Sequence, residues 1–188
     1  MADFTLIAEP PLKGVDHNFG DTRLYAPDDL AIVSIALPLG AEDATLQAVK
    51  SGFGADLPAP GQSVMGNDDT RLVRLGPDQA FAIFTRATPD AEPHVQSLLK
   101  GAAYTTDQTD VWTGLMLDGP LARTALERIC PIDLHPDAFA EGAAARTVME
   151  HLGVLIIRTG PDAFLLLSAS SSAGSFLHAV ETSLVNVT

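Results

Sequence analysis

The densest group of potentially reactive side chains lies in the segment Cys130-Pro131-Ile132-Asp133-Leu134-His135-Pro136-Asp137. An Asp and a His two residues apart in a proline-bounded loop could form a metal-ligand pair or a general acid–base pair. The alternative is structural: Asp133 accepts hydrogen bonds from loop amides, and His135 packs against Pro136 and holds the loop in shape. We favour this structural role because no base, nucleophile and oxyanion donor come together in the sequence.

Cys130 is the single cysteine of the chain. A nucleophilic cysteine needs a nearby base or a positive local field, and only Arg128 is close in sequence. We therefore expect a buried, inert thiol. Together with Asp133, His135 and Pro136, Cys130 is predicted to shape the loop, and no catalytic, cofactor-binding or metal-binding residue is predicted in this chain.

Other catalytic and binding templates are not matched. The five histidines are scattered, and a zinc site would need clustered His and Cys ligands. No Gly-x-x-x-x-Gly-Lys-Ser/Thr phosphate loop occurs. The serine run 168–172 has no Gly-x-Ser-x-Gly frame, and helix N-capping explains it better than nucleophilic catalysis.

Charge and cysteine content restrict the possible partners and compartment. The 188 residues include 24 acidic and 11 basic side chains, which gives a net charge of −13. Such a field repels nucleic acids and anionic membrane surfaces, so neither is expected as a partner. A single cysteine and the lack of a signal-peptide pattern predict a cytoplasmic protein.

Two segments of the chain match each other without a gap. Residues 64–78 lie over residues 148–162 at a constant offset of 84, with six identities: a Val-Met pair, an Arg and a Gly-Pro-Asp triplet. When the offset is reduced by one residue, Phe81 lies over Phe164. Coincidence in a chain rich in Leu, Ala and Val is the weaker explanation. We therefore predict an internal duplication about a pseudo-twofold axis.

Hydrophobic patterns in both halves predict the same elements. Each half contains β-branched runs of strand length, a hairpin closed by Gly-Pro-Asp, and a closing amphipathic helix. We expect an α+β domain of two β-β-α-β-β-β-α halves, with helices layered on antiparallel sheet. The predicted division is an extended N-terminal arm over residues 1–22, a first half over 23–101 and a second half over 103–185.

The second half closely resembles the gamma subunit of heterotetrameric sarcosine oxidase over residues 107 to about 180. The matching residues are Gly119-Pro120-Leu121-Ala122-Arg123, Leu126, Cys130-Pro131-Ile132-Asp133-Leu134-His135-Pro136, Phe139, Gly142 and Arg146-Thr147. The Asp-Leu-His-Pro core is the specific part. The Gly-Pro-x-Ala start is shared with the glycine-cleavage aminomethyltransferase and other folate-binding-domain proteins. Ser170 stands where the family usually has an arginine.

The resemblance implies both a fold and a role. The family fold is a duplicated folate-binding-type domain whose halves exchange their first strands. The implied role is that of a non-catalytic subunit, which supports assembly of a flavoprotein complex that oxidatively demethylates sarcosine to glycine. FAD, FMN, NAD and tetrahydrofolate are then expected on larger partner subunits, with the alpha subunit as the expected contact and no cofactor in this chain.

Two other functions stay open at this stage. A free-standing folate-binding or one-carbon-transfer domain could use Asp107, Asp110 or Asp133 for the pterin edge, although the net charge disfavours a polyanionic glutamate tail. A stand-alone structural homodimer is the third possibility.

The N-terminal arm is the predicted contact with a partner subunit. Phe4, Leu6 and Ile7 alternate with polar residues, and Phe19 follows. Such an extended pattern suits a segment that lies along another subunit within a large exposed apolar patch. A tail without a partner is the rival interpretation.

Overall fold

The computed structural model describes residues 9–87 and 89–188, which form an α+β domain of eleven strands, four α-helices and three short 3-10 helices. The strands are β1 Asp16–Phe19, β2 Thr22–Tyr25, β3 Leu30–Ala36, β4 Gln62–Met65, β5 Arg71–Arg74, β6 Gln79–Thr85, β7 Tyr104–Asp107, β8 Trp112–Asp118, β9 Ala144–Met149, β10 Leu152–Gly160 and β11 Ala163–Ala169. The α-helices are α1 Glu42–Phe53, α2 Ala91–Leu99, α3 Ala122–Glu127 and α4 Ala173–Val185.

The strands form two antiparallel sheets with equivalent topology. The first has the order β4-β5-β6-β3-β7, and the second has the order β9-β10-β11-β8-β2-β1. From β2 onward the chain therefore runs through β-β-α-β-β-β-α twice, which confirms the predicted element order. Strand β7 of the second half lies in the first sheet, and β2 of the first half lies in the second. The exchange of first strands implied by the family resemblance is thus present.

The two sheets pack face to face, and each carries two helices on its outer face. Successive side chains of a strand point to opposite faces, so Ile32 of β3 enters the core between the sheets, whereas Val33 contacts α1 and α2. The core between the sheets consists of Ile32, Val73, Phe81, Ile83, Ala144, Leu155, Ile157, Leu165 and Leu167. The result is four layers in the order helix, sheet, sheet, helix.

The expected equivalence of Phe81 and Phe164 between the two halves is wrong, as the strand register shows. Phe81 and Leu165 both lie in the core between the sheets, whereas Phe164 points toward α3 and α4. The offset of 84 therefore continues through β6 and β11, and the one-residue gap in the sequence comparison does not exist in the fold. The gap was introduced because both residues are phenylalanine. A shift of one residue, however, moves a side chain to the opposite face of the sheet.

The match between Val64 and Val148 also fails in three dimensions. Val64 pairs with Leu72, whose equivalent at an offset of 84 is Ile156, and Ile156 pairs with Ala145. Val64 therefore corresponds to Ala145. The reason is the connection within each hairpin: residues 66–70 join β4 to β5, whereas only residues 150–151 join β9 to β10. The equivalence holds along β5 and β10 and is lost across the loop before them.

The N-terminal region differs from the extended arm expected over residues 1–22. Strand β1 pairs with β2 as a hairpin, and Val15 accepts a hydrogen bond from Ala26 N at 2.9 Å. Residues 15–22 are thus part of the second sheet, and Phe19 packs against the core beneath it. Phe4, Leu6 and Ile7 lie outside the described residues. Within the described residues 9–87 and 89–188, no helix is long and apolar enough to cross a membrane.

Candidate functional site

The loop after α3 is held in place by buried residues on both sides of the Asp-Leu-His-Pro core. Leu134 is fully buried and Phe139 nearly so, and both belong to the core beneath the second sheet. Asp133 Oδ1 accepts a hydrogen bond from the His135 amide at 2.8 Å. This is the local capping expected of an Asp in a turn. The predicted hydrogen bond from a loop amide to Asp133 is therefore present.

His135 does not pack as expected, because its side chain is 55% exposed. Its Nδ1 accepts a hydrogen bond from Asp137 N at 3.3 Å and lies 3.5 Å from Asp137 Oδ2. The adjacent Leu134 takes the buried position instead, so the ring of His135 lies outside. The loop is nevertheless fixed at this residue, since the His135 carbonyl accepts hydrogen bonds from Ala138 N at 2.9 Å and Phe139 N at 2.8 Å. Pro136 is likewise exposed.

The Asp133 and His135 side chains are not arranged as an acid–base or ligand pair. The carboxylate of Asp133 engages a main-chain amide, and the imidazole of His135 faces Asp137. In the part of the chain that the structure describes, no group of three or more His, Cys, Asp or Glu residues is placed to hold a metal ion.

Cys130 is buried, as predicted, with an exposed fraction of 5%. Its Sγ contacts Thr147 Oγ1 of β9 at 3.8 Å. The neighbouring Ile129 carbonyl accepts a hydrogen bond from Glu150 N at 3.0 Å, which joins the end of α3 to the β9–β10 turn. The thiol is therefore a packed side chain at the join between α3 and the second sheet.

A buried guanidinium ties this loop to the hairpin turn of the second half. Arg158, 5% exposed, donates from Nη1 to the Phe139 carbonyl at 2.9 Å and from Nε to the Gly160 carbonyl at 3.1 Å. Its Nη2 donates to the Pro161 carbonyl. Buried charges are stable when their hydrogen-bonding groups are satisfied. In the sequence, Arg158 stands out only as an identity between the repeats. The recurrence of an Arg shortly before both Gly-Pro-Asp turns is the signal that points to this anchoring role.

A cavity lies elsewhere, between the residues before β1, the β2–β3 connection and the start of β8. Its volume is about 270 Å³, and Trp112 forms part of its wall. Trp112 also stacks edge-on against Phe81, with ring centroids 5.8 Å apart. Ser170 lines the cavity, and its Oγ donates to the Asp110 carbonyl at 2.7 Å. Ser170, in the middle of the serine run, thus links it to the 3-10 helix Thr109–Val111, and Ser172 precedes α4 without the predicted side-chain cap.

The three aspartates considered for a pterin are not gathered around this cavity. Asp110 lines it, whereas Asp107 and Asp133 do not. Asp107 Oδ1 accepts a hydrogen bond from Thr109 N at 2.9 Å, and Asp133 caps the loop after α3. The acidic residues at the cavity are instead Glu9, Asp29 and Asp110, so the cavity holds only one of the three aspartates considered for a pterin.

Sequence comparison identifies relatives of known type, although no protein-family model matches the chain. Sarcosine oxidase subunit gamma of Corynebacterium sp. (strain P-1) is 31% identical over 132 residues, which cover 70% of this chain and 65% of that protein. Sarcosine oxidase subunit gamma of an Arthrobacter species is 33% identical over 121 residues, covering 64% and 60%. The match thus spans less than two thirds of the length of either relative.

Structure comparison agrees on the fold. A chain of the heterotetrameric sarcosine oxidase from Corynebacterium sp. U-96 has a TM-score of 0.76 and 24% identity, over 88% of this chain and 84% of that one. The glycine cleavage system aminomethyltransferase T from Bartonella henselae has a TM-score of 0.63 and 16% identity, over 85% and 45%. The chain therefore resembles sarcosine oxidase subunit gamma in sequence and shares its α+β fold with a chain of heterotetrameric sarcosine oxidase and with an aminomethyltransferase.

Proposed function

We propose that this chain is a non-catalytic gamma subunit of a heterotetrameric sarcosine oxidase. In this role it supports assembly of a flavoprotein complex that oxidatively demethylates sarcosine to glycine. The observation that carries the proposal is the identity of about 30% with proteins named sarcosine oxidase subunit gamma, over 70% of this chain in the longer matches.

The geometry of the loop after α3 supports a structural role for its potentially reactive residues. Asp133 caps a main-chain amide, Cys130 is packed in the core, and Arg158 satisfies three carbonyl groups. Each of these polar groups already has a partner within the fold. We therefore propose that FAD, FMN, NAD and tetrahydrofolate bind to the larger subunits and that this chain holds no cofactor of its own.

The proposed partners are the larger subunits of the complex, with the alpha subunit as the direct contact. A net charge of −13 favours a partner surface with complementary positive charge, which would accelerate association and set its orientation. A nucleic acid or an anionic membrane would be repelled by the same charge.

The test is purification of the tagged chain from its native cell, with identification of co-purifying proteins and a visible spectrum of the eluate. The proposal predicts larger subunits and flavin absorbance in the eluate. The matched control is the tagged chain purified from a heterologous host without those subunits, which should be colourless. A folate titration of the same control sample tests the alternative function: a saturable shift in pterin absorbance would favour a folate-binding domain.

A further inference from the structure

The two sheets differ at one edge, although their strand orders are equivalent. In the second sheet, β1 lies outside β2. In the first sheet, β7 occupies the position of β2, and no described strand lies outside it. The registers define this equivalence residue by residue. Thr105 of β7 pairs with Ile35 of β3, and Leu24 of β2 pairs with Leu117 of β8, which occupies the position equivalent to Ile35. The first sheet therefore ends one strand earlier than the second.

Main-chain groups of β7 point toward the position that β1 fills in the other sheet. Gln108 N donates to the Ile32 carbonyl at 2.8 Å, so the even-numbered residues of this strand bond to β3. Antiparallel pairs alternate, and the amides of Thr105 and Asp107 consequently face outward. In the second sheet, the residue equivalent to Asp107 is Ala26, whose amide donates to the Val15 carbonyl at 2.9 Å.

The other sheet edges carry features that limit pairing with a further strand. Edge strand β1 carries Asp16, which forms an ion pair with Arg23 at 2.8 Å, and His17, whose Nδ1 lies 2.5 Å from Glu181 Oε1. Charges on an edge strand discourage edge-to-edge association. The starts of edge strands β4 and β9 are joined to each other: Ser63 N donates to the carbonyl of Gly142 before β9 at 2.6 Å, and Ala144 N donates to the carbonyl of Gly61 before β4 at 2.9 Å.

Strand β7 has a composition that favours pairing instead. Its sequence is Tyr-Thr-Thr-Asp, in which three of the four residues have high strand propensity and none is Lys or Pro. Tyr104 is 71% exposed on this strand. Leu39, 99% exposed, follows three residues after Ala36, which is the Cα partner of Tyr104. Two exposed apolar side chains thus lie toward the Tyr104 end of β7.

We infer that the outer edge of β7 is the docking site for an extended segment of a larger subunit, which adds a sixth strand antiparallel to β7. The inference rests on the proposed function and names the surface that it uses. Main-chain hydrogen bonds to Thr105 and Asp107 supply affinity, and Tyr104 and Leu39 supply apolar contact. The charge of Asp107 and the net charge of −13 select a segment that carries Lys or Arg.

The experiment measures how much of the larger subunits co-purifies with tagged variants in the native cell. Thr105→Pro removes an outward amide without removing a bond to β3, and Asn18→Pro removes the outward amide at the β1 edge as the matched control. Tyr104→Lys leaves the backbone intact, and Val185→Lys is its control at a comparably exposed site on α4, 65% exposed. Far-UV circular dichroism and thermal melting of each purified variant establish that it is folded.

The expected result is a loss of about tenfold in co-purifying flavoprotein for Thr105→Pro and Tyr104→Lys, with both controls at the wild-type level. Wild-type levels for folded Thr105→Pro and Tyr104→Lys, beside an assembling wild-type chain, would overturn this inference alone. An isolated chain that dimerises through β7 would overturn it in favour of a second copy as occupant. A wild-type chain that recovers no larger subunit would contradict the proposed function and this inference with it.

Discussion

Arg74 and Arg158 make the same hydrogen bonds in the two halves of the molecule. Arg74 Nε donates to the Gly76 carbonyl at 3.2 Å and Arg158 Nε to the Gly160 carbonyl at 3.1 Å. In both residues Nη2 donates to the carbonyl of the following proline. Nη1 donates to a carbonyl in the loop before the preceding strand, that of Pro58 before β4 and that of Phe139 before β9. This shared geometry supports the proposal that residues 23–101 and 103–185 are copies of one ancestral unit.

The two arginines should contribute unequally to stability because they differ in burial. Arg158→Ala leaves carbonyl groups without partners in a buried site, and we expect a loss of about 2–4 kcal/mol in the free energy of unfolding. Arg74 is half-buried, so water can replace part of its bonding, and Arg74→Ala should cost less. Urea denaturation followed by circular dichroism measures both. An equal or larger loss for Arg74→Ala would contradict this assignment.

Within the loop after α3, stability should depend on Leu134 and not on His135. Leu134→Ala removes a fully buried side chain and should cost about 2–5 kcal/mol. His135→Ala alters an exposed ring and should cost less than about 0.5 kcal/mol. Thermal and urea unfolding test both variants. The proposed complex should retain sarcosine demethylation with His135→Ala; a folded variant whose complex loses turnover would show that this loop has a functional role.

The thiol of Cys130 should react slowly in the folded chain. Its exposed fraction is 5%, and a side chain in the core becomes accessible only when the structure opens. Labelling with a chromogenic disulfide reagent should therefore be slow in buffer and complete in denaturing urea. Stoichiometric labelling within the mixing time in buffer would contradict the burial of this residue.

The carboxyl of Asp90 should titrate below its ordinary range. Arg86 donates to it at 2.9 and 2.7 Å, and this hydrogen bonding, more than the charge attraction, lowers the pKa of Asp90. Because the pKa in the folded state is depressed, the stabilisation is present above the ordinary carboxyl pKa and is lost as pH falls through the depressed value.

Carbon-detected NMR titration measures this pKa directly. Arg86→Gln should raise the pKa of Asp90 toward its ordinary value. Asp16, whose pKa is lowered by its own hydrogen bond from Arg23, is the internal control and should keep its titration midpoint in the same variant. An unchanged midpoint for Asp90 in Arg86→Gln would contradict the ion pair.

Local features of the sequence were sufficient to predict the order of elements from β2 onward. The two Gly-Pro-Asp turns and the runs of alternating apolar residues depend on backbone preferences and burial within a few residues. The burial of Cys130 and the capping by Asp133 were predicted on the same basis. These features need no knowledge of which distant segment lies opposite.

Properties set by long-range packing were not accessible in this way. His135 and Leu134 are adjacent, and only the position of the loop on the core decides that the leucine is buried and the histidine exposed. The assignment of Val64 to the position of Val148 failed because the two hairpins have connections of different length. The open edge of β7 depends on strands contributed by both halves, which no local pattern reports.

The most direct test of the central claim is size-exclusion chromatography of the tagged chain purified from its native cell, monitored for protein mass by light scattering and for flavin absorbance. We expect one species in which this chain, larger subunits and flavin elute together and convert sarcosine to glycine, whereas the isolated chain is colourless and inactive. A chain that elutes on its own, without flavin, from cells that contain the larger subunits would contradict it.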